Sequence, residues 1–89
     1  MGQAMFGNLG RCESAAEEGE VQAQFDLGLM YATGRGAPCD YVVAHKWFNL
    51  AAVQGSEDAR HRRVELARDM SHSEIAEAQR LAREWSHAH

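Results

Sequence analysis

The chain is poor in the residues that staple small folds. Its 89 residues include two cysteines, Cys12 and Cys39, with no CxxC pair and no secretory context. That spacing argues against a disulfide framework or a thiolate zinc site and predicts two reduced thiols in a cytoplasmic protein. No apolar run approaches the roughly 20 residues of a membrane span. The opening MGQAMFGNLG has neither a charged n-region nor a long apolar h-region, so no membrane or secretory segment is expected. Gly2 follows Met1, but Phe6 stands where a myristoylation signal needs Ser or Thr. Basic charge is scarce too: the formal net charge is −4, against the basic stripe that a nucleic-acid binder needs. Up to Ala44 there are six acids and two bases, and from His45 onward seven of each. The acidic first half suits simple solubility.

Catalytic signatures are missing as well. There is no G-x-S-x-G, no P-loop, no dinucleotide fingerprint and no Cys/His set with a third partner, so no enzyme activity and no cofactor are expected. Five histidines invite a metal hypothesis. His45 lies one position off the apolar face of its helix and is expected at the surface; His61 sits in RHRR, His72 between two caps, and His87 and His89 in the tail. None forms the i, i+4 pair plus third ligand of a helical zinc site, so no metal is expected.

What the chain does have is a recurring phrase. Residues 15–24 read AAEEGEVQAQ and residues 51–60 read AAVQGSEDAR, in register at Ala15/Ala51, Ala16/Ala52, Gly19/Gly55 and Ala23/Ala59. A fixed period of this order marks helical repeat architectures. Between the two phrases lies TGRGAPCD, where Gly34 suits the left-handed position after a helix, Gly36 and Pro38 break it, and Asp40 can cap the next.

Helical spacing then places the elements. Ala23, Leu27, Met30 and Tyr31 mark a helix over 21–33, and Ala44, Trp47, Phe48, Ala51 and Ala52 mark one over 41–54. Joined by a short loop, these form an antiparallel hairpin. Ser56 opens a helix through about Arg68 with Ala59 and Leu66 inward, followed by Met70. Ser71 and Glu74 form a capping box for a last helix to about Ser86, with Ile75, Ala78, Ala82 and Trp85 as its stripe. Met5, Leu9, Cys12 and Ala16 suit one face of a first helix ending at Gly19, against the opposition of Gly7 and Gly10. No strand is predicted, and the expected fold class is all-α.

The stretch AQFDLGLMYATGRGAPCDYVVAHKWFNLAAVQG resembles a Sel1-like repeat, a relative of the tetratricopeptide hairpins. The family pattern is matched at Ala23, Leu27, Gly28 and Tyr31, at Gly34, Gly36, Asp40 and Tyr41 around the loop, and at Ala44, Trp47, Ala51, Ala52 and Gly55. Ala37 stands where the family often has Val, Cys39 holds a usually polar position, and Met1 to Ser14 match poorly. The resemblance covers about Ala15 to Trp85. It implies a short α-solenoid of antiparallel helix hairpins with a C-terminal capping helix. Its parts are a degenerate N-terminal helix over 1–19, one repeat over 20–55, and a partial repeat plus cap over 56–89, all in one domain.

By the same resemblance the chain is a protein–protein interaction module, an adaptor or scaffold of the bacterial type that binds a peptide or protein on the concave face of its first helices. Gln22, Asp26 and Thr33 on one helix and Asp58, Arg62 and Asp69 on the next form a two-column polar stripe that would read the partner. The same residues also suit an ordinary solvated face. Arg60, His61, Arg62 and Arg63 point about 100° apart and do not form one patch. Gly28 is expected to admit a neighbouring backbone near Ala44 or Ala51. The alternative reading is a self-associating structural unit, a homodimer, in which Met5, Phe6 and Leu9 lack a preceding hairpin and pack on a second copy.

Overall fold

Helix ends are written into the chain by caps and glycines, and the computed structural model, which describes residues 9–89, places them accordingly. Five helices occur among the described residues, with no strand: α1 (Leu9–Glu17), α2 (Val21–Thr33), α3 (Tyr41–Val53), α4 (Glu57–Ala67) and α5 (His72–Ala88). Asp40 accepts from the Val43 amide at 3.1 Å, and Ser56 from the Ala59 amide at 3.1 Å, satisfying amides that the first turns of α3 and α4 leave open. The capping box forms in both directions: Glu74 N–H donates to Ser71 Oγ at 3.1 Å and Ser71 N–H to Glu74 Oε1 at 2.8 Å. Gly34, at φ 76°, stops α2 and returns its amide to Met30 O.

The repeated phrase folds the same way twice. Gly19 N–H donates to Ala16 O at 3.0 Å and Glu20 N–H to Ala15 O at 3.1 Å. At the end of α3, Gly55 N–H donates to Ala52 O at 3.0 Å and Ser56 N–H to Ala51 O at 3.1 Å. Both glycines have positive φ, 97° and 108°. Each is a Schellman ending, which needs the left-handed residue that glycine adopts without a steric cost.

Packing makes α3 the hub. α2 lies against it as an antiparallel pair: Asp40 N–H reaches Tyr31 O at one end, and Gln54 Nε2 donates to Gln24 Oε1 at 2.7 Å at the other. α4 also packs on α3, and α5 takes α3 rather than its sequence neighbour α4 as its main partner. Trp47 and Leu50 of α3 face one core with Leu27, Met30 and Ala82, while Ala44, Phe48 and Ala51 face a second with Leu66 and Ala78. Burying a side chain as large as Leu27 or Phe48 contributes about 1.5–3 kcal/mol.

Two expectations are corrected by this arrangement. His45 is not at the surface but 3% exposed, because α4 and α5 cover a flank of α3 that a single hairpin would leave open. Gly28 receives not a helix backbone but the ring of Phe48: a Cβ there would stand 2.5 Å from Phe48 Cε1 and 2.6 Å from Cδ1.

Two further ties close the ends of the bundle. Gln24, fully buried, donates to Ala16 O at 3.2 Å and so pins the end of α1 to α2. Trp85 on α5 meets Trp47 edge to face, ring centroids 6.1 Å apart, and its Nε1–H donates to Glu17 Oε1 at 2.9 Å. Cys12 is half-buried in α1 and Cys39 exposed in the α2–α3 loop, both as free thiols.

Candidate functional site

Where the last turn of α2 passes α4 they leave a cleft of about 220 Å³. Its apolar lining is Leu29 and Ala32 of α2, Phe48 of α3 and Leu66 of α4. The polar rim is Thr33 on one side and Arg62, Glu65 and Asp69 on the other. Helical spacing explains the second row: Arg62, Glu65 and Asp69 follow one another by three and four residues and so share one side of α4 and the turn after it.

The rim groups differ in what they have free. Thr33 Oγ1 donates to Leu29 O at 2.7 Å and accepts from the Arg35 amide at 3.3 Å, so its hydroxyl is occupied locally. Arg62, Glu65 and Asp69 are exposed, and their side chains make no hydrogen bond or ion pair with any described residue. The rim therefore presents one unpaired cation and two unpaired carboxylates above an apolar floor.

Of the six stripe residues expected from the sequence, Thr33, Arg62 and Asp69 meet at this cleft. The other three do not. Gln22 donates to Asp26 at 3.0 Å earlier on α2, and Asp58 is exposed in the first turn of α4. The stripe splits because α2 approaches α4 over a short stretch only. Glu65 was not part of that expectation, although its place between Arg62 and Asp69 on the helical net is a signal for it. Leu9 lies half-buried against the first core, whereas Met5 and Phe6 fall outside the described residues.

The chain matches no protein-family model and no curated protein.

The basic run on α4 is dispersed, as the helical angle requires. Arg60 pairs with Glu57 at 2.8 Å, Arg62 faces the cleft, and Arg63 turns away to donate to Asn49 Oδ1 at 2.5 Å. Among the described residues no group of three His, Cys, Asp or Glu side chains gathers to hold a metal ion. A cleft of this size is below the roughly 300–1,000 Å³ of small-molecule pockets and has room for about one large side chain. Chemically it can seat an apolar anchor while the rim charges engage groups on either side of it.

Proposed function

We propose that this chain is a protein–protein interaction module, a short Sel1-like helical-repeat adaptor that holds a peptide or protein segment in the α2/α4 cleft. The observation that carries the reading is the pairing of an apolar floor with the three unpaired ionised groups Arg62, Glu65 and Asp69. The twice-formed Schellman ending, one period apart, supports the repeat character. Binding to helices already held by α3 orders little of the scaffold, so less of the interaction is offset by lost entropy. The segment that fits has an apolar side chain for the floor, a basic group for Glu65 and Asp69, and an acidic or carbonyl group for Arg62. Such rim charges set register and partner choice more than raw affinity.

The test is selection of peptides from a random library on the whole chain, followed by titration calorimetry with the best binder. Arg62→Glu is expected to weaken it about tenfold, or ~1.4 kcal/mol, and Leu66→Gln at the floor to weaken it as well. Gln22→Ala, outside the cleft, should leave the affinity within about twofold, the range of near-neutral contacts. Binders that tolerate Arg62→Glu and lose affinity with Gln22→Ala would move the site elsewhere.

A further inference from the structure

A second recess, of about 410 Å³, opens where α3, α4 and α5 meet, apart from the α2/α4 cleft. Its polar lining is His45 and Asn49 of α3, Arg63 of α4 and Gln79 of α5. Val64, Ala67 and Ile75 supply its apolar part.

Three features of this lining are unusual together. His45 is 3% exposed, yet its Nδ1 has no hydrogen-bond partner. Most buried polar atoms in folded chains are satisfied, so this nitrogen is an exception; it is closed to solvent and lies behind the face of the ring that walls the recess. Second, Asn49 Oδ1 accepts from Arg63 Nη1, which fixes the amide so that its NH2 is the free end. The other N–H groups of Arg63 make no bond with a described residue. Third, no acidic side chain lines the recess, so Arg63 has no counter-ion within it. The wall therefore offers a guanidinium and two side-chain amides as donors, with no carboxylate among them.

A donor-rich wall with an uncompensated cation selects an anion. Guanidinium N–H groups match the two oxygens of a carboxylate. The adjoining Val64, Ala67 and Ile75 suit a short branched apolar body in preference to a fully hydrated ion. The size falls within the range of small-molecule pockets. We propose that this recess binds a carboxylate carried on a short branched apolar group, either a free acid or the last residue of a peptide. Arg63 holds one or both oxygens, Asn49 and Gln79 add donors, and the buried ring of His45 forms part of the wall. The site is independent of peptide capture in the α2/α4 cleft.

The experiment is an NMR titration of the whole chain, labelled so that the Arg63 and Asn49 side-chain nitrogens are observed. The probes are isovalerate, isovaleramide, inorganic phosphate, and acetyl-Ala-Val with a free or an amidated C terminus. Isovalerate is expected to move the Arg63 and Asn49 side-chain signals saturably, and isovaleramide to leave them in place. Arg63→Gln should weaken isovalerate at least about tenfold, the effect of losing a charged hydrogen-bond donor. Gln79→Leu, an exposed position at the rim, should weaken it a few-fold and serves if Arg63→Gln fails to fold. Binding of the free-terminus dipeptide in addition to isovalerate identifies a peptide end as a ligand, and binding of isovalerate alone identifies a small acid. No saturable shift with either carboxylate, or equal shifts with isovaleramide or phosphate, overturns the proposal.

Discussion

Gly28→Ala sets two effects against each other whose magnitudes decide the outcome. In an exposed helix interior, replacing glycine with alanine stabilises by about 1 kcal/mol through backbone entropy and helix propensity. At position 28 the added methyl would lie 2.5 Å from the Phe48 ring, a separation that Cβ atoms do not adopt. Phe48 is 1% exposed and packs against Phe25 at a centroid distance of 5.9 Å, so the ring has little room to yield. Overpacking of a filled core costs about 1–3 kcal/mol, and a contact this short belongs at the upper end. The net expectation is a loss of about 1–2 kcal/mol, or roughly 5–15 °C in melting temperature for a domain of this size. Thermal and urea unfolding followed by circular dichroism measure it. Adding Phe48→Leu makes room for the methyl, so the double variant should recover part of the loss, a coupling that a double-mutant cycle reads directly. An alanine variant as stable as the parent, or more so, refutes the claim that the ring rather than the helix backbone sets the requirement for glycine.

Two other perturbations follow from the same packing. Burial, and after it the Arg63 guanidinium, push the pKa of His45 below its ordinary value, so below about pH 6.5 the unfolded chain takes up a proton that the folded one refuses. Stability contributed by this group is therefore present above pH 6.5 and falls as the pH drops, by at most ~1.4 kcal/mol per pH unit. Urea unfolding at pH 7.5 and 5.5 should show a steeper loss in the parent than in His45→Leu, and equal slopes would exclude His45 as the cause. Ser71→Ala removes the oxygen that accepts the Glu74 amide and should cost about 1 kcal/mol, whereas Ser73→Ala, two residues on, should cost a few tenths; denaturant midpoints distinguish them.

Features written locally in the chain were legible from it. The limits of α2 at Val21 and Thr33, the caps at Asp40, Ser56 and Ser71, and the inward positions Leu27, Trp47, Phe48, Leu66 and Ala78 all follow from spacing and capping chemistry. What was not legible depends on a third element. The burial of His45 requires that α4 and α5 both choose α3, which no periodicity within α3 states. One signal did exist: YVVAHKWFNLAAV is apolar nearly all the way round, the mark of a helix surrounded by others. Gln24 is polar yet fully buried, because its amide is bonded at both ends, a feature no spacing in α2 states. Of the candidate site, Thr33, Arg62 and Asp69 were foreseeable from the period, while the split of the stripe was not. It depends on where two helix axes come close, a tertiary quantity.

The tie between Trp85 and Glu17 bears on how the molecule comes apart. In an open array of helix hairpins each unit touches its neighbours only, and an end unit melts while the middle persists. Here residues 68 apart in sequence share a hydrogen bond, and the same indole rests on Trp47 of the hub. Closing so long a loop has an entropic cost that grows slowly with length, so the contact is affordable. Its effect is to join the end of α1 to α5 across the face of the hub. Loosening α5 uncovers α3 and frees Glu17 at the end of α1, while α2 still holds α1 in place. A chain so tied is expected to unfold as one cooperative unit, with coincident transitions in tryptophan fluorescence and circular dichroism.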